Sequence, residues 1–353
     1  MKYRTLPEST LPISEIGFGL WTLSTGWWGD YSDEEAVRLM RIGSDLGITL
    51  YDAADTYGNG RSEVLIAKAF STPQERDRIV IATKVGYDFI NHGEGRRGQR
   101  EIPQDFSAPA IRAATEAALA RLKTDRIDVL QLHNIHLEQV MEDDLWEVLE
   151  SLKREGKILH HGVALGPAIG WLGEGAAAIE KRHPDVLQHI YNLLEQHPGK
   201  TLHRIAEATH SKTRFFIRVP HSSGMLEGKY TAETIFPPND HRNHRPRSWL
   251  LSGVKKIEKL RFLENADRTL GQAAMQWLLH DERVATVLPN IYNEEQLREF
   301  AATSSTPGLL DEEIQRVDDL VQSGFGLERE EGKFKGSMEL PPTLTHCSAL
   351  HES

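Results

Sequence analysis

Apolar strand-like runs alternate with amphipathic helical stretches along this chain, and no break in composition interrupts the pattern. We predict eight strands, at residues 16–20, 48–52, 79–83, 127–132, 158–164, 186–191, 215–219 and 285–288. Strands that alternate with helices are typical of a parallel α/β sheet or barrel. Eight is the number of strands that a closed (β/α)8 barrel requires.

A short hairpin is expected before the first of these strands. Residues 3–6 and 11–14 flank the turn-rich segment Pro7-Glu-Ser-Thr. Among the helices between the strands, we predict one at residues 33–46 and an alanine-rich one at residues 108–122. The pattern therefore predicts a barrel with a hairpin at its N-terminal end.

Three connections are longer than a minimal barrel needs, at residues 22–30, 87–104 and 230–249. All three follow the carboxyl ends of predicted strands, so they are candidate substrate walls. Beyond about residue 324 the chain is rich in Gly, Glu, Pro and Ser, which is typical of an extended tail. We divide the chain into a barrel at residues 1–323 and a C-terminal tail at residues 324–353.

Composition agrees with one domain, because 353 residues exceed the ~250 of a typical barrel only by loop insertions and a tail. No apolar run approaches the ~18 residues of a membrane span, and no secretory signal is recognisable, so we expect a cytoplasmic protein. The single cysteine, Cys347, cannot form an internal disulfide. A net charge of -11 argues against nucleic acid as a partner.

Four polar side chains fall at or just beyond the ends of three consecutive predicted strands. Asp52 and then Tyr57 follow the second strand, Lys84 ends the third, and His133 ends the fourth. A parallel barrel keeps its catalytic groups at these strand ends, so we predict that the four form an active site. Each alone also has a structural interpretation, such as a cap or a satisfied histidine. His133 and His136 would resemble a metal pair only on a helix, and the strand end at His133 breaks that spacing, so no metal is expected.

Several segments, in the same order, resemble the aldo-keto reductase family over roughly residues 3–323. The matching segments are Ile16 to Thr22, Gly47 to Glu63, Thr83 to Val85, Arg126 to His133, Leu149 to Lys157, Gln188 to Asn192 and Gly224 to Tyr230. The resemblance implies a single (β/α)8 barrel whose bottom is closed by the hairpin. It also implies an NAD(P)-dependent oxidoreductase that reduces an aldehyde or ketone to an alcohol by hydride transfer.

Carbonyl reduction needs an acid that protonates the developing alkoxide. A free tyrosine ionises too far above neutral pH to serve well, but a lysine cation beside the phenol favours the phenolate. A buried lysine in turn needs a counter-charge, which Asp52 is placed to supply. Tyr57 is therefore the predicted general acid, with Lys84 and Asp52 tuning it and His133 orienting the carbonyl. The resemblance implies the same four roles.

The resemblance also implies a nicotinamide cofactor, NADP(H) or NAD(H), extended across the barrel mouth. Gln188 matches the residue that hydrogen-bonds the carboxamide. The loop after the seventh strand matches the segment that folds over the pyrophosphate, and the eighth strand and the following helix start match the adenosine-phosphate segment. The implied cofactor-binding residues are Gly19, Trp21, Gln188, Arg218, Gly224, Leu226, Gly228, Pro289, Asn290, Gln296 and Glu299.

Two departures from the family pattern concern the nicotinamide end. Ala164 and Leu165 stand where a serine and an asparagine usually hold the carboxamide. Arg218 aligns with the aromatic residue that usually stacks on the nicotinamide ring. A guanidinium stacks on aromatic rings but is repelled by an oxidised nicotinamide, so we expect Arg218 to favour the reduced cofactor.

A third departure concerns the 2′-phosphate pocket, which is poor in cations around Asn290. Either the protein accepts the unphosphorylated cofactor, or Arg242, Arg245 or Arg247 reaches the pocket from the long loop. A solvated charged surface is the alternative interpretation of that loop.

The substrate is the least predictable element. Trp21, Trp27, Trp28 and Tyr87 are candidate pocket residues, and aromatic walls suit sugars, terpenoids and aryl aldehydes alike. Two other functions remain open. The altered carboxamide site favours a cofactor-binding regulatory subunit with little turnover, whereas a phosphate-handling barrel such as an isomerase predicts no nicotinamide binding. The intact set of four strand-end residues favours the reductase.

Overall fold

The computed structural model describes residues 1–92, 102–238, 240–328 and 333–344. Its strands are β1 (Tyr3–Arg4), β2 (Ile13–Ser14), β3 (Phe18–Gly19), β4 (Leu50–Asp52), β5 (Val80–Val85), β6 (Ile127–His133), β7 (Ile158–Ala164), β8 (Val186–Ile190), β9 (Arg214–Arg218) and β10 (Val284–Leu288). Its α-helices are α1 (Trp21–Thr25), α2 (Asp33–Asp45), α3 (Arg61–Ala69), α4 (Pro73–Arg76), α5 (Phe89–His92), α6 (Ala108–Leu122), α7 (Leu137–Val140), α8 (Asp143–Arg154), α9 (Leu172–Ala177), α10 (Gly199–Ala208), α11 (Arg247–Leu260), α12 (Leu270–Leu279), α13 (Glu294–Ala301) and α14 (Asp311–Gln322).

Strands β3 to β10 form one parallel sheet in which each strand pairs with its neighbours in the sequence. The two edges meet where the Gly17 amide donates to the Val287 carbonyl at 2.9 Å and the Val287 amide donates to the Glu15 carbonyl at 2.8 Å. The predicted (β/α)8 barrel is thus confirmed. β3 is shorter than the predicted strand 16–20, because the backbone before Phe18 pairs across this closure.

The hairpin β1–β2 closes the N-terminal end of the barrel. Its strands are antiparallel, with Tyr3 opposite Ser14. Leu6 and Ile13 are buried in the apolar cluster inside the barrel, which also contains Val129 and Phe216. Because the bottom is filled by side chains, the opposite mouth is the open end at which polar groups can meet a ligand.

The two helices that we predicted with bounds are found as α2 and α6. The Ser32 hydroxyl accepts a hydrogen bond from the Glu35 amide and so caps the first turn of α2. The Ser107 hydroxyl caps α6 in the same way. α2 buries Ala36, Leu39 and Met40, whose spacing is that of one face of an amphipathic helix.

Residues 333–344 of the tail run along the loop after β7. The Lys335 amide donates to the Ile169 carbonyl at 3.0 Å, and the Trp171 amide donates to the Lys335 carbonyl at 2.8 Å. Gly170 and Gly336 permit this approach, since a Cβ at Gly170 would clash with the backbone of Lys335. Cys347 lies outside the described residues, and the division of the chain at residue 323 stays a prediction. Within the described ranges, no helix is long and apolar enough to cross a bilayer.

Asp55 is a buried carboxyl group beneath the mouth. Its side chain is fully buried, and neither of its oxygens has a side-chain hydrogen-bond partner among the described residues. Burial, and then the charge of nearby Glu63, raise the pKa of Asp55 well above its usual range. Glu63 itself is paired with Arg121 and accepts a hydrogen bond from Thr83.

We expect Asp55→Asn to stabilise the protein at pH 8. Because the pKa of Asp55 is higher in the folded than in the unfolded protein, the protonated carboxyl group is the form that the folded protein tolerates. Its contribution to stability is fully present below the unfolded-state pKa and is lost as the pH rises through the folded-state pKa. The neutral amide avoids the buried charge, so the free energy of unfolding should rise by about 1 to 3 kcal/mol at pH 8 and by less at pH 5. Urea denaturation at the two pH values measures the difference.

Asp125→Asn, at an exposed position, is the matched control and should change stability little at either pH. An Asp55→Asn protein that is less stable than the wild type at pH 8 would show that the ionised carboxylate contributes to folding.

Candidate active site

The mouth of the barrel is organised around a buried ion pair between Lys84 and Asp52. The Lys84 Nζ atom lies 2.6 Å from Asp52 Oδ2 and donates to the Ala53 carbonyl at 2.8 Å. Lys84 is 0% and Asp52 4% exposed. The two residues meet because β4 and β5 are adjacent and parallel, which brings both strand ends to the same edge.

Tyr57 lies in the turn after β4, over the lysine. The Lys84 Nζ atom is 4.8 Å from the centroid of the Tyr57 ring. The turn is closed by a hydrogen bond from the Tyr57 amide to the Ala54 carbonyl, and Gly58 continues it with a positive φ of 64°. The phenol is therefore held beside a cation whose own charge is balanced by Asp52.

His133 lies at the end of β6, the strand that pairs with the strand of Lys84. Its ring meets the Tyr57 ring edge to face, with the centroids 5.8 Å apart. Tyr87 contacts the other side at 5.2 Å, and the Tyr87 hydroxyl accepts a hydrogen bond from Asn134 at 2.7 Å. The Gln104 amide donates to the His133 carbonyl, which fixes the end of the strand. The structure thus brings the four predicted strand-end residues and Tyr87 together.

The second oxygen of Asp52 is held by two amides. Gln131 donates to Asp52 Oδ1 at 3.2 Å, and Gln188 donates to the same atom at 3.0 Å. Gln188 was predicted from the resemblance as a carboxamide contact, and its amide nitrogen is engaged with Asp52 in this structure. Gln131 was missed. It is a polar residue inside an apolar run, two positions before His133 and on the same face of the strand, which is a signal that the sequence does contain.

Arg218, at the end of β9, occupies the region left by the altered carboxamide site. Its Nη2 atom donates to the backbone carbonyls of Leu165 and Gly166. Burial lowers the pKa of the Arg218 guanidinium, and the charges of Tyr57 and Asp52 oppose that effect. Arg218 therefore places a second positive charge in the mouth, beside the catalytic candidates.

Trp21, Trp27 and Trp28 form one aromatic group together with a residue from the long loop. Trp27 and Trp28 lie 6.0 and 6.3 Å from Trp21 between ring centroids. The His241 ring is 5.4 Å from Trp21, and the His241 amide donates to the Trp27 carbonyl at 3.1 Å. His241 was missed, since no sequence spacing relates two loops that are some 210 residues apart.

The loop after β9 contains Gly224, Leu226 and Gly228, which were predicted to bind the cofactor pyrophosphate. Both glycines have positive φ, 87° and 71°, and enclose a short turn of 3₁₀ helix in which Leu226 is buried. At Gly19, which is opposite Asp52 in the pairing of β3 with β4, an added Cβ would meet no atom within 4 Å. The open space beside Asp52 and the glycine-bounded turn both fit an extended dinucleotide.

Pro289 and Asn290 directly follow β10, and Gln296 and Glu299 lie on α13. The Thr22 hydroxyl donates to the Asn290 side chain at 3.4 Å. Glu299 accepts a hydrogen bond from the Thr269 hydroxyl at 2.7 Å. These residues thus lie at the carboxyl end of β10 and on the helix that follows it.

A buried acid that we did not predict, Glu227, lies in the same region. It accepts hydrogen bonds from the Tyr292 hydroxyl at 3.1 Å and from Gln296 at 3.1 Å. Burial raises the pKa of Glu227, and Tyr292 and Lys229 oppose that effect. Lys229 lies 4.0 Å from Glu227 and 3.9 Å from Glu299, so one exposed lysine faces two acids.

The three loop arginines have protein partners of their own. Arg242 pairs with Asp240 at 2.6 Å, and its guanidinium lies 4.6 Å from the centroid of the Trp28 ring. Arg247 donates to the Thr234 carbonyl within the loop. Arg245 donates to the Ser223 hydroxyl at 3.3 Å. Within the described ranges, no group of three or more His, Cys, Asp or Glu residues is arranged to hold a metal ion.

Comparison with known proteins identifies the family. The model of the aldo/keto reductase family matches residues 15–322. The aldo-keto reductase YhdN of Bacillus subtilis is 29% identical over 285 residues, which cover 79% of this chain and 81% of that protein. A probable voltage-gated potassium channel subunit beta of Arabidopsis thaliana is 26% identical, and the match covers 92% of this chain and 97% of that protein.

Among solved structures, the holo form of the aldo-keto reductase AKR11C1 from Bacillus halodurans superimposes with a TM-score of 0.73 and 26% identity. That match covers 97% of this chain and 99% of the other. The match therefore extends over the whole barrel. The chain belongs to the aldo/keto reductase family and is an NAD(P)H-dependent oxidoreductase.

Proposed function

We propose that Tyr57 is the general acid with which this enzyme reduces an aldehyde or ketone to an alcohol. The observation that supports the proposal is the position of Lys84, which lies between the Asp52 carboxylate and the Tyr57 ring and is shielded from water. A buried cation beside a phenol stabilises the phenolate that forms when the phenol gives up its proton.

The roles follow from this geometry. Tyr57 donates its proton to the carbonyl oxygen of the substrate as negative charge develops there, and Lys84 stabilises the phenolate left behind. Asp52 keeps Lys84 charged and in place. His133, whose ring faces Tyr57, orients the carbonyl by hydrogen bonding. A bound nicotinamide supplies the hydride.

The seclusion of the ion pair strengthens these effects. The side chains of Lys84 and Asp52 are 0% and 6% exposed, so solvent screens the pair very little. Charges that are fixed before the reaction do not need to reorganise when the alkoxide forms, which is a large source of catalytic stabilisation. The hydrogen bonds from Gln131 and Gln188 hold Asp52 in the same orientation throughout.

A cofactor-binding regulatory subunit remains the alternative, and the similarity to a channel subunit is the observation that favours it. Such a protein needs to bind the cofactor but does not need a buried lysine against a phenol. The isomerase alternative is wrong, because it predicts no nicotinamide binding and the chain belongs to a family that uses a nicotinamide cofactor.

We further propose that the enzyme prefers NADH to NADPH. A 2′-phosphate is an anion, whereas the adenosine end of the mouth holds the acids Glu227 and Glu299 and one exposed lysine. Glu227 is well placed to accept a hydrogen bond from a ribose hydroxyl and to repel a phosphate. The loop arginines Arg242 and Arg247 are engaged elsewhere, which weakens the alternative that the long loop supplies the phosphate site.

The substrate is a small carbonyl compound that enters between the two tyrosines and the tryptophan group. Tyr57 and Tyr87 both contact His133, which is the donor that orients the carbonyl. We propose that Trp21, Trp27 and Trp28 form the wall of the pocket on the side of the long loop, since they pack against His241.

Tyr57→Phe should lower kcat for carbonyl reduction by roughly 10² to 10⁴, the usual contribution of a positioned general acid. Phenylalanine keeps the ring over Lys84 and removes only the hydroxyl group that donates the proton. Loss of NADH absorbance with a panel of aldehydes and ketones measures the rate, and fluorescence titration shows that NADH still binds.

Tyr3→Phe is the matched control, because Tyr3 lies on the hairpin at the opposite end of the barrel. A Tyr57→Phe enzyme within tenfold of the wild type would contradict the proposed role of the phenol. Tight NADH binding without tyrosine-dependent turnover on any carbonyl would favour the regulatory alternative.

Glu227→Gln should reduce the preference for NADH over NADPH about tenfold, which corresponds to roughly 1.4 kcal/mol of removed repulsion. The amide keeps a hydrogen-bond acceptor for the ribose while removing the negative charge. Dissociation constants of both cofactors from fluorescence titration measure the ratio without relying on turnover. Glu282→Gln, in the turn before β10, removes the same charge at the far end of the barrel and should leave the ratio unchanged. A wild-type enzyme that binds NADPH more tightly would overturn the preference.

A further inference from the structure

Arg218 is a charged side chain for which the protein supplies no counter-ion. Within the part of the chain that the structure describes, no carboxylate forms an ion pair with Arg218, and its acceptors are the neutral carbonyls of Leu165 and Gly166. Its Nε atom is shielded and has no hydrogen-bond partner. One of the donors of the guanidinium is therefore left unused.

An uncompensated guanidinium is costly to keep away from water, because the lost hydration is repaid only by a nearby anion. The other cation in the mouth, Lys84, is already neutralised by Asp52 at 2.6 Å. Arg218 thus leaves the reacting end of the mouth with one excess positive charge. Unbalanced charges of this kind in a cleft are characteristic of ligand sites.

The backbone around Arg218 is also strained. Val219, the next residue, has a φ of 55°, and this left-handed conformation is unfavourable for a β-branched side chain. It is maintained by a hydrogen bond of 3.0 Å from the Asn192 side chain to the Val219 carbonyl. Strain of this kind persists where the surrounding structure fixes it, and it concentrates at functional sites.

The two carbonyls that hold the guanidinium are fixed as well. Trp171 packs directly on Gly166, so that a Cβ there would fall within the indole ring. Trp171 is in turn hydrogen-bonded through its backbone amide to Lys335 of the tail. The guanidinium therefore has a defined position, which a binding site requires and a surface arginine lacks.

We propose that Arg218 binds an anionic group of the substrate, so that the enzyme acts preferentially on aldehydes or ketones that carry a carboxylate or a phosphate. The guanidinium matches both groups, because its N–H donors pair with two anionic oxygens. This inference rests on the proposed function. Arg218 is near Tyr57, Asp52 and Tyr87 at the reacting end, whereas the residues implied for the cofactor phosphates are in the loop after β9 and on α13.

The test compares matched substrates with NADH at saturation. 4-Oxobutanoate is paired with its methyl ester, and glyceraldehyde 3-phosphate with glyceraldehyde, so that each pair differs in one charged group. In the wild type, at least one charged substrate should have a kcat/KM about tenfold or more above its neutral partner. The pair with the larger ratio distinguishes a carboxylate from a phosphate.

Arg218→Gln should lower kcat/KM for the preferred charged substrate roughly 10- to 100-fold more than for its neutral partner, as expected for the loss of a charge-assisted hydrogen bond. Arg218→Lys should recover part of the loss. Arg214→Gln removes the same charge at the other end of β9 and should leave the charged-to-neutral ratio unchanged. NADH dissociation constants are measured for all four proteins in parallel, because the resemblance also implies that Arg218 contacts the nicotinamide.

The wild type alone provides a second measurement, which does not depend on how well the variants fold. Raising the ionic strength should lower kcat/KM for the charged substrate and not for its neutral partner. Tyr57-dependent reduction of all four substrates without a charge preference would overturn the anion site and leave the proposed function intact. If Arg218→Gln lowers kcat/KM equally for charged and neutral substrates and also weakens NADH binding, Arg218 contacts the cofactor, and the proposed anion site is overturned.

Discussion

The ion pair between Lys84 and Asp52 is the interaction on which the mouth of this barrel depends. Removing both charges from water is expensive, and the pair is tolerated because its short distance and the amides of Gln131 and Gln188 satisfy the carboxylate. Loss of one partner would leave the other buried and uncompensated, which typically costs about 3 to 5 kcal/mol. In the mechanism that we propose, the same atoms therefore contribute to folding and to catalysis.

The two ends of the mouth differ in charge, and this difference accounts for most of the specificity that we propose. At the reacting end, Lys84 is neutralised and Arg218 is not, so the substrate is expected to bring an anion. At the adenosine end, Glu227 and Glu299 face a single exposed lysine, so an additional phosphate is disfavoured. Ala164 and Leu165 stand where the family usually has two polar side chains. The Arg218 guanidinium, bound to backbone carbonyls, occupies that region instead.

Much of the fold was predictable because its signals are local. The eight strands are short apolar runs, and the first long helix begins at a serine cap. The four candidate catalytic residues lie at or just beyond strand ends, which the parallel arrangement brings together. Gln131 was detectable in principle as a polar residue within an apolar strand. The predicted catalytic set needed only the topology of the barrel, and no knowledge of the loops.

The remainder of the site depends on contacts between distant segments. His241 contacts the tryptophan group from a loop more than 200 residues away, and Trp171 is hydrogen-bonded to the tail. Glu227 is covered by Tyr292 and Gln296, which donate hydrogen bonds to it. Asp55 has no sequence signal of its own, because its raised pKa results from the packing around it. These features depend on contacts between particular loops, and the hydrophobic periodicity of the sequence does not predict which loops come into contact.

The central claim is that hydride transfer takes place at this mouth, beside Tyr57. The most direct test uses NADH that carries deuterium at the transferable position of the nicotinamide, with detection of the label in the alcohol product by mass spectrometry. In the wild type, we predict one deuterium on the carbinol carbon of each product molecule and a much smaller amount with Tyr57→Phe over the same time. Bound cofactor that transfers no label to any carbonyl, or label transfer that does not depend on Tyr57, would contradict the account.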